Sequence, residues 1–150
     1  MNIVKTLDQF SENYVHFCDS IRNNVMSDGT FIRIIYSTKH MTLNGVYLLI
    51  ELHDISLDKY YNKYKCNFNM NTNHDIISKV KLIEEMILQK YYISNKTPQF
   101  KINEQLKTGN IKIFVDANAV NNNKFILKIS GIRETQSHYG LTYKFVKISE

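Results

Sequence analysis

Apolar side chains at Ile3, Leu7, Phe10, Tyr14, Phe17, Ile21 and Val25 recur every three or four residues. That spacing predicts one amphipathic helix over residues 3–26. The same spacing returns at Ile76, Ile77, Val80, Ile83, Met86 and Ile87 and predicts a second helix running to about Gln89. Asn73 or Thr72 stands where a cap belongs, and Asp75 lies near the positive end of the helix, where a carboxylate is favoured.

The remaining apolar runs read as strands. Residues 30–38 and 46–53 are almost continuously apolar, and Asn44-Gly45 between them is a strong hairpin signal. Residues 60–70 alternate, with Tyr60, Asn62, Tyr64, Cys66, Phe68 and Met70 on one side and Tyr61, Lys63, Lys65, Asn67 and Asn69 on the other. Such alternation describes a strand packed on one face only. Residues 110–117, 124–132 and 141–148 complete a predicted β-meander, with turns at Asn118 to Asn123 and over 133–140. In the last strand Leu141, Tyr143, Phe145 and Lys147 oppose Thr142, Lys144, Val146 and Ile148. Residues 90–109, which hold the single proline Pro98, read as an irregular insertion with a short strand around Phe100–Ile102. The expected fold is α+β over one domain, 1–150, in the order α-βββ-α-ββββ, with both helices on one face of a curved antiparallel sheet.

Composition narrows the class. At 150 residues and 43% hydrophobic the chain can bury a core, no apolar run is long enough to span a bilayer, and the start lacks the pattern of a signal peptide. An intracellular location, in the cytoplasm or nucleus of a host cell, is the expectation. Cys18 and Cys66 have no partner spacing for zinc and read as free, buried thiols. The net charge of +5 fits either a somewhat basic surface or contact with a polyanion, and since the lysines form no tail, such contact would go through a folded basic face. Asparagine takes 17 of the 150 positions, a bias towards AT-rich codons that suits a low-GC genome such as that of a large DNA virus or of some protists.

Catalytic chemistry finds no motif. His16 and Cys18 stand two residues apart on the predicted helix and face apart, and Cys66 with His74 has no supporting pattern. The five histidines are dispersed, His53-Asp54 would point to opposite faces of a strand, and Asp116 and Glu134 lack ligand spacing. Gly131 and Gly140 bracket a strand connection and form no phosphate loop. No catalytic residue, metal ligand or cofactor is assigned. Tyr60, Tyr61, Tyr64 and Phe68 alternate with Lys59, Lys63 and Lys65, and Tyr143, Lys144 and Phe145 repeat the pattern, a combination suited to single-stranded nucleic acid, although the alternation better suits an ordinary strand with Tyr60, Tyr64 and Phe68 on its core face.

Residues 46–70 (VYLLIELHDISLDKYYNKYKCNFNM), 69–83 (NMNTNHDIISKVKLI) and 110–148, with the turn after Phe114-Val115-Asp116 and a closing aromatic-lysine strand, resemble a subdomain of sliding clamps of the proliferating cell nuclear antigen type. The resemblance implies a non-enzymatic, DNA-associated module acting in viral DNA replication or late transcription. It also implies helices that present cations to the backbone: Lys5 and Arg22 on the first, Lys79, Lys81 and Lys90 on the second. Lys63 and Lys65 on the wet face of their strand are further candidate phosphate contacts. The chain has room for one subdomain, so a ring would need more copies or a partner. The expected partners are DNA, without sequence preference, and other proteins or further copies of the chain. Two alternatives stand beside this: a single-strand binder using the aromatic-lysine strand, and a structural or host-interaction protein with no nucleic-acid affinity.

Overall fold

A computed structural model of the protein describes residues 4–22, 29–60, 63–114 and 123–147. Its elements are β1 (Lys5–Thr6), a 3-10 turn (Glu12–Tyr14), β2 (Val15–Arg22), β3 (Thr30–Ser37), β4 (Thr42–Leu43), β5 (Val46–Glu51), β6 (Ile55–Tyr60), β7 (Lys63–Phe68), α1 (His74–Lys90), β8 (Thr97–Gln99), α2 (Lys101–Lys107), β9 (Asn110–Phe114), β10 (Lys124–Glu134) and β11 (His138–Lys147). The class is α+β with a mostly sheet core. All the strands join one sheet, whose main path runs β1-β5-β10-β11-β9-β7-β6, with β2, β3 and β4 attached through β3 to β10, and β8 attached to β11.

Among the described residues, 4–22, the expected first helix is not there, and Ile3 and Val25 of its stripe lie outside them. Residues 15–22 form a strand antiparallel to β3, preceded by the 3-10 turn, which Ser11 caps by accepting the Asn13 N–H. The register of β2 slips between Phe17 and Ser20. Such a bulge interrupts the period of two by which a strand is recognised. Phe10 and Tyr14, read as parts of a helical stripe, instead pack their rings on Tyr36 at 5.9 and 5.8 Å. The predicted turn at Ser27-Asp28 lies outside the described residues.

Three further expectations change. Residues 90–109 are ordered structure: β8 runs parallel to β11, and α2 starts where the sequence predicts a short strand around Phe100–Ile102. The three-residue β8 accommodates Pro98 because so short an edge strand needs few ladder donors. Residues 55–60 and 63–68 form an antiparallel hairpin, so the alternating run belongs to β7 while its first residue, Tyr60, ends β6. The sheet is mixed, with parallel pairs β1/β5, β8/β11 and β9/β11, so the C-terminal strands are no meander. Asn44-Gly45 bends the chain between β4 and β5, with Gly45 at φ +118°, but closes no hairpin: β4 pairs back onto β3 while β5 crosses to β10. The Asn118 to Asn122 part of the expected turn lies outside the described residues.

α1 forms where expected, and its stripe explains why. Val80, Ile83, Ile87 and Leu88 are buried in one cluster with Ile102 and Leu106 of α2. Ile111 and Ile113 of β9, Cys66 and Phe68 of β7, Leu141 and Phe145 of β11, and Phe125 and Leu127 of β10 complete it from the sheet. Each such burial contributes about 1.5–3 kcal/mol, which carries a helix whose own hydrogen bonds would leave it marginal. Asn73 sits at the cap but does not cap. Its amide accepts from the His53 N–H at 2.8 Å and donates to the His53 carbonyl at 2.8 Å, pinning the chain that leaves β5.

β10 holds the two parts of the sheet together. Its first half, 124–129, pairs with β5, and its second half, 131–134, pairs with β3. The switch falls where its register with β11 slips between Ile129 and Gly131. A Cβ at Gly131 would stand 2.4 Å from the Ile32 carbonyl oxygen and 2.5 Å from the Phe31 ring. Only glycine permits that approach of β3 to β10.

Candidate nucleic-acid interface

Because both helices pack on one face of the sheet, every inward residue of the central strands has outward neighbours on the other. On β9, Ile111 and Ile113 are buried and Lys112 is exposed; on β11, Leu141 and Phe145 are buried while Thr142 and Lys144 are exposed. Register then gathers lysines from four strands. Lys65 of β7 is directly opposite Lys112 of β9. Lys112 and Lys144 each precede by one residue the pair Ile113–Phe145, so they are neighbours in the parallel β9/β11 ladder. Lys144 is directly opposite Lys128 of β10, and Lys128 is opposite Tyr47 of β5, with its amine 5.5 Å from the ring centroid.

The result is a cationic row, Lys65–Lys112–Lys144–Lys128, crossing the strands at right angles. Neighbouring strands lie about 4.8 Å apart, so the four Cα positions span roughly 15 Å. Like charges set directly opposite each other destabilise a sheet, and this row contains two such pairs. Among the described residues no carboxylate lies within ion-pair distance of any of the four. Asp58 is directly opposite Lys65, yet it accepts from the Asn67 side-chain amide at 2.9 Å.

A second row runs beside the first, two residues along each strand and so about 7 Å away. Here Val146, Ile126 and Leu49 pair across β11, β10 and β5, all three half-buried. The open face thus offers cations and a strip of aliphatic surface side by side.

The residues singled out from sequence divide. Lys63 and Lys65 are exposed on the open face, as the alternation of their strand predicts. Lys5 and Arg22 lie on β1 and β2, so no first helix presents them; Lys5 is half-buried at the β5 edge opposite the inward Leu48. Lys79, Lys81 and Lys90 are exposed on α1. Lys79 pairs with Asp8 at 3.2 Å, and Lys90 donates to the Glu12 carbonyl at 2.6 Å, so both fasten α1 to the N-terminal segment. The α1 lysines and the strand lysines lie on opposite sides of the sheet and make no common surface. Lys112 and Lys128 escaped the sequence reading, and Lys144 entered it only beside Tyr143 and Phe145 on the polar side of the last strand. The polar face of each strand was legible, but nothing local reveals which strands are neighbours.

Of the aromatic-lysine run, the described rings of Tyr64 and Phe68 turn inward. Phe68 is in the core and Tyr64 packs against it, leaving Lys63 and Lys65 outside; Tyr61 lies outside the described residues, as does Asp116. Cys18 is half-buried and Cys66 buried, both free. Burial pushes the Cys66 thiol up to about 11. Among the described residues no group of three or more histidine, cysteine or acidic side chains could hold a metal ion, and no helix is long and apolar enough to cross a membrane.

No protein-family model, curated protein or solved structure matches the chain.

Proposed function

We propose that this protein is a non-enzymatic, nucleic-acid-associated module that holds the phosphate backbone on the open face of its sheet. The cross-strand row Lys65–Lys112–Lys144–Lys128 carries the proposal. Placing four lysines shoulder to shoulder costs stability in the free protein, and a polyanion repays that cost by neutralising them together. Contact of this kind reads charge and spacing and is blind to base sequence. Compared with the sliding-clamp expectation, phosphate contact passes from helices to strands, and two of the five helix-set cations, Lys5 and Arg22, sit on strands.

The test is a charge reversal that leaves the fold better off. Lys112→Glu with Lys144→Glu sets each new carboxylate opposite a remaining lysine, Lys65 and Lys128, so the sheet gains two attractive pairs. Fluorescence anisotropy at low salt with labelled DNA is expected to show binding by the native protein and its loss in this variant. Lys79→Glu with Lys81→Glu on α1 should bind as the native protein does. Binding that survives on the sheet variant and disappears on the helix variant would overturn the proposal.

A further inference from the structure

We infer that the nucleic acid held by this face is single-stranded, with phosphates along the lysine row and bases laid on the aliphatic row. The inference rests on the backbone-binding proposal above and adds the class of ligand. A duplex keeps its bases stacked inside and offers this surface only phosphates, so it would leave Leu49, Ile126 and Val146 without use. An extended single strand offers both a charged backbone and flat base faces. The two rows run parallel across the same strands, Lys144–Lys128–Tyr47 in one and Val146–Ile126–Leu49 in the other, so one strand can follow both at once. Tyr47 closes the cationic row with a half-exposed ring beside the Lys128 amine, 5.5 Å from its centroid. A ring and a cation at one place can hold a base and its phosphate together.

An anionic membrane would also meet cations beside apolar groups. It needs side chains that project far enough to enter the lipid. The large hydrophobic side chains that do stand exposed among the described residues are Tyr14, Met70, Leu82 and Tyr92. None of them belongs to the open-face rows. Half-buried aliphatics lying beside long lysines suit a flat base better than an acyl chain.

The experiment compares three labelled probes of about twelve nucleotides by anisotropy at low salt: oligothymidylate, an abasic oligonucleotide with the same phosphates, and a duplex. Co-sedimentation with phosphatidylcholine–phosphatidylserine vesicles runs alongside. The native protein is expected to bind oligothymidylate roughly tenfold more tightly than the abasic strand. Ile126→Thr with Val146→Thr, which keeps β-branched side chains in both strands, should bring oligothymidylate down to the abasic level without altering abasic binding. Tyr47→Leu is a second variant with the same expected signature and a smaller loss. Equal binding of all three probes would overturn the single-strand inference and leave the backbone proposal standing. Indifference to all three would overturn both, as would binding to vesicles with none to nucleic acid.

Discussion

Glu84 joins the two helices, and its removal should loosen the inner layer of the protein in a measurable way. The side chain is fully buried on α1, yet its carboxylate reaches α2: one oxygen accepts the Ile102 N–H at 2.8 Å and the other the Asn103 N–H at 2.9 Å. These are the donors that a side chain at the N-cap would ordinarily satisfy, and Phe100, which occupies the cap, cannot. Glu84→Ala leaves two buried N–H groups without an acceptor, at about 1–3 kcal/mol each. Losing a buried charge offsets part of that, so the net cost should be about 2–4 kcal/mol. For a chain of this size, that lowers the melting temperature by roughly 5–15 °C.

The pH dependence has a definite sign. Burial, first of all, raises the Glu84 pKa above 4.5; the two N–H bonds pull it down, and the nearby Glu104 and Glu85 push it up again. The folded chain therefore keeps a proton that the unfolded chain has released. Stability from this source is fully present below about 4.5 and is lost as pH rises through the raised value. Glu84→Gln has no such slope, so its deficit against the native protein should narrow from acid to neutral pH. Urea denaturation followed by circular dichroism gives the free energies, and amide exchange at Ile102 and Asn103 reports the local loss. A Glu84→Ala protein within about 0.5 kcal/mol of native, with those two amides still protected, would refute the reasoning.

Three more outcomes follow from the packing. Gly131→Ala should cost about 3 kcal/mol in urea denaturation, because its Cβ would meet the Ile32 carbonyl at 2.4 Å and that backbone cannot move away cheaply; a neutral result would mean β3 and β10 do not approach as described. Lys147 is buried, its amine has no hydrogen-bond partner among the described residues, and it lies 4.3 Å from the centre of the Phe125 ring. Burial lowers its pKa below 10.5, so Lys147→Met should stabilise the protein by about 1 kcal/mol at neutral pH. That gain should shrink as the native protein recovers stability between the lowered value and 10.5; destabilisation at neutral pH would contradict it. Cys66, buried and with its thiol pushed up to about 11, should react with a disulfide reagent at pH 8 far more slowly than half-buried Cys18. Equal rates in the folded protein would refute that.

Legibility in the sequence followed how local each feature is. α1 could be read because Ile76, Val80, Ile83 and Ile87 form a stripe on one continuous element, and the inward set Leu141, Phe145 and Lys147 because a strand alternates on its own. β2 could not, because the slip between Phe17 and Ser20 interrupts the period of two that marks a strand. α2 is held by Glu84, eighteen residues before Ile102, so its own seven residues carry little of the signal. The candidate site shows the same division. Lys65 was visible as the wet side of one strand, but the row exists only because β9 lies between β7 and β11, a parallel neighbour that no turn signal announces.

The central claim meets its most direct test in the salt dependence of binding. The logarithm of the association constant for single-stranded DNA, plotted against that of salt concentration, should fall with a slope of about −3 if four lysines displace counterions. Changing Lys65, Lys112, Lys144 and Lys128 to glutamine one after another should flatten the slope by about 0.7 at each step. A slope that the four substitutions leave unchanged would contradict the account.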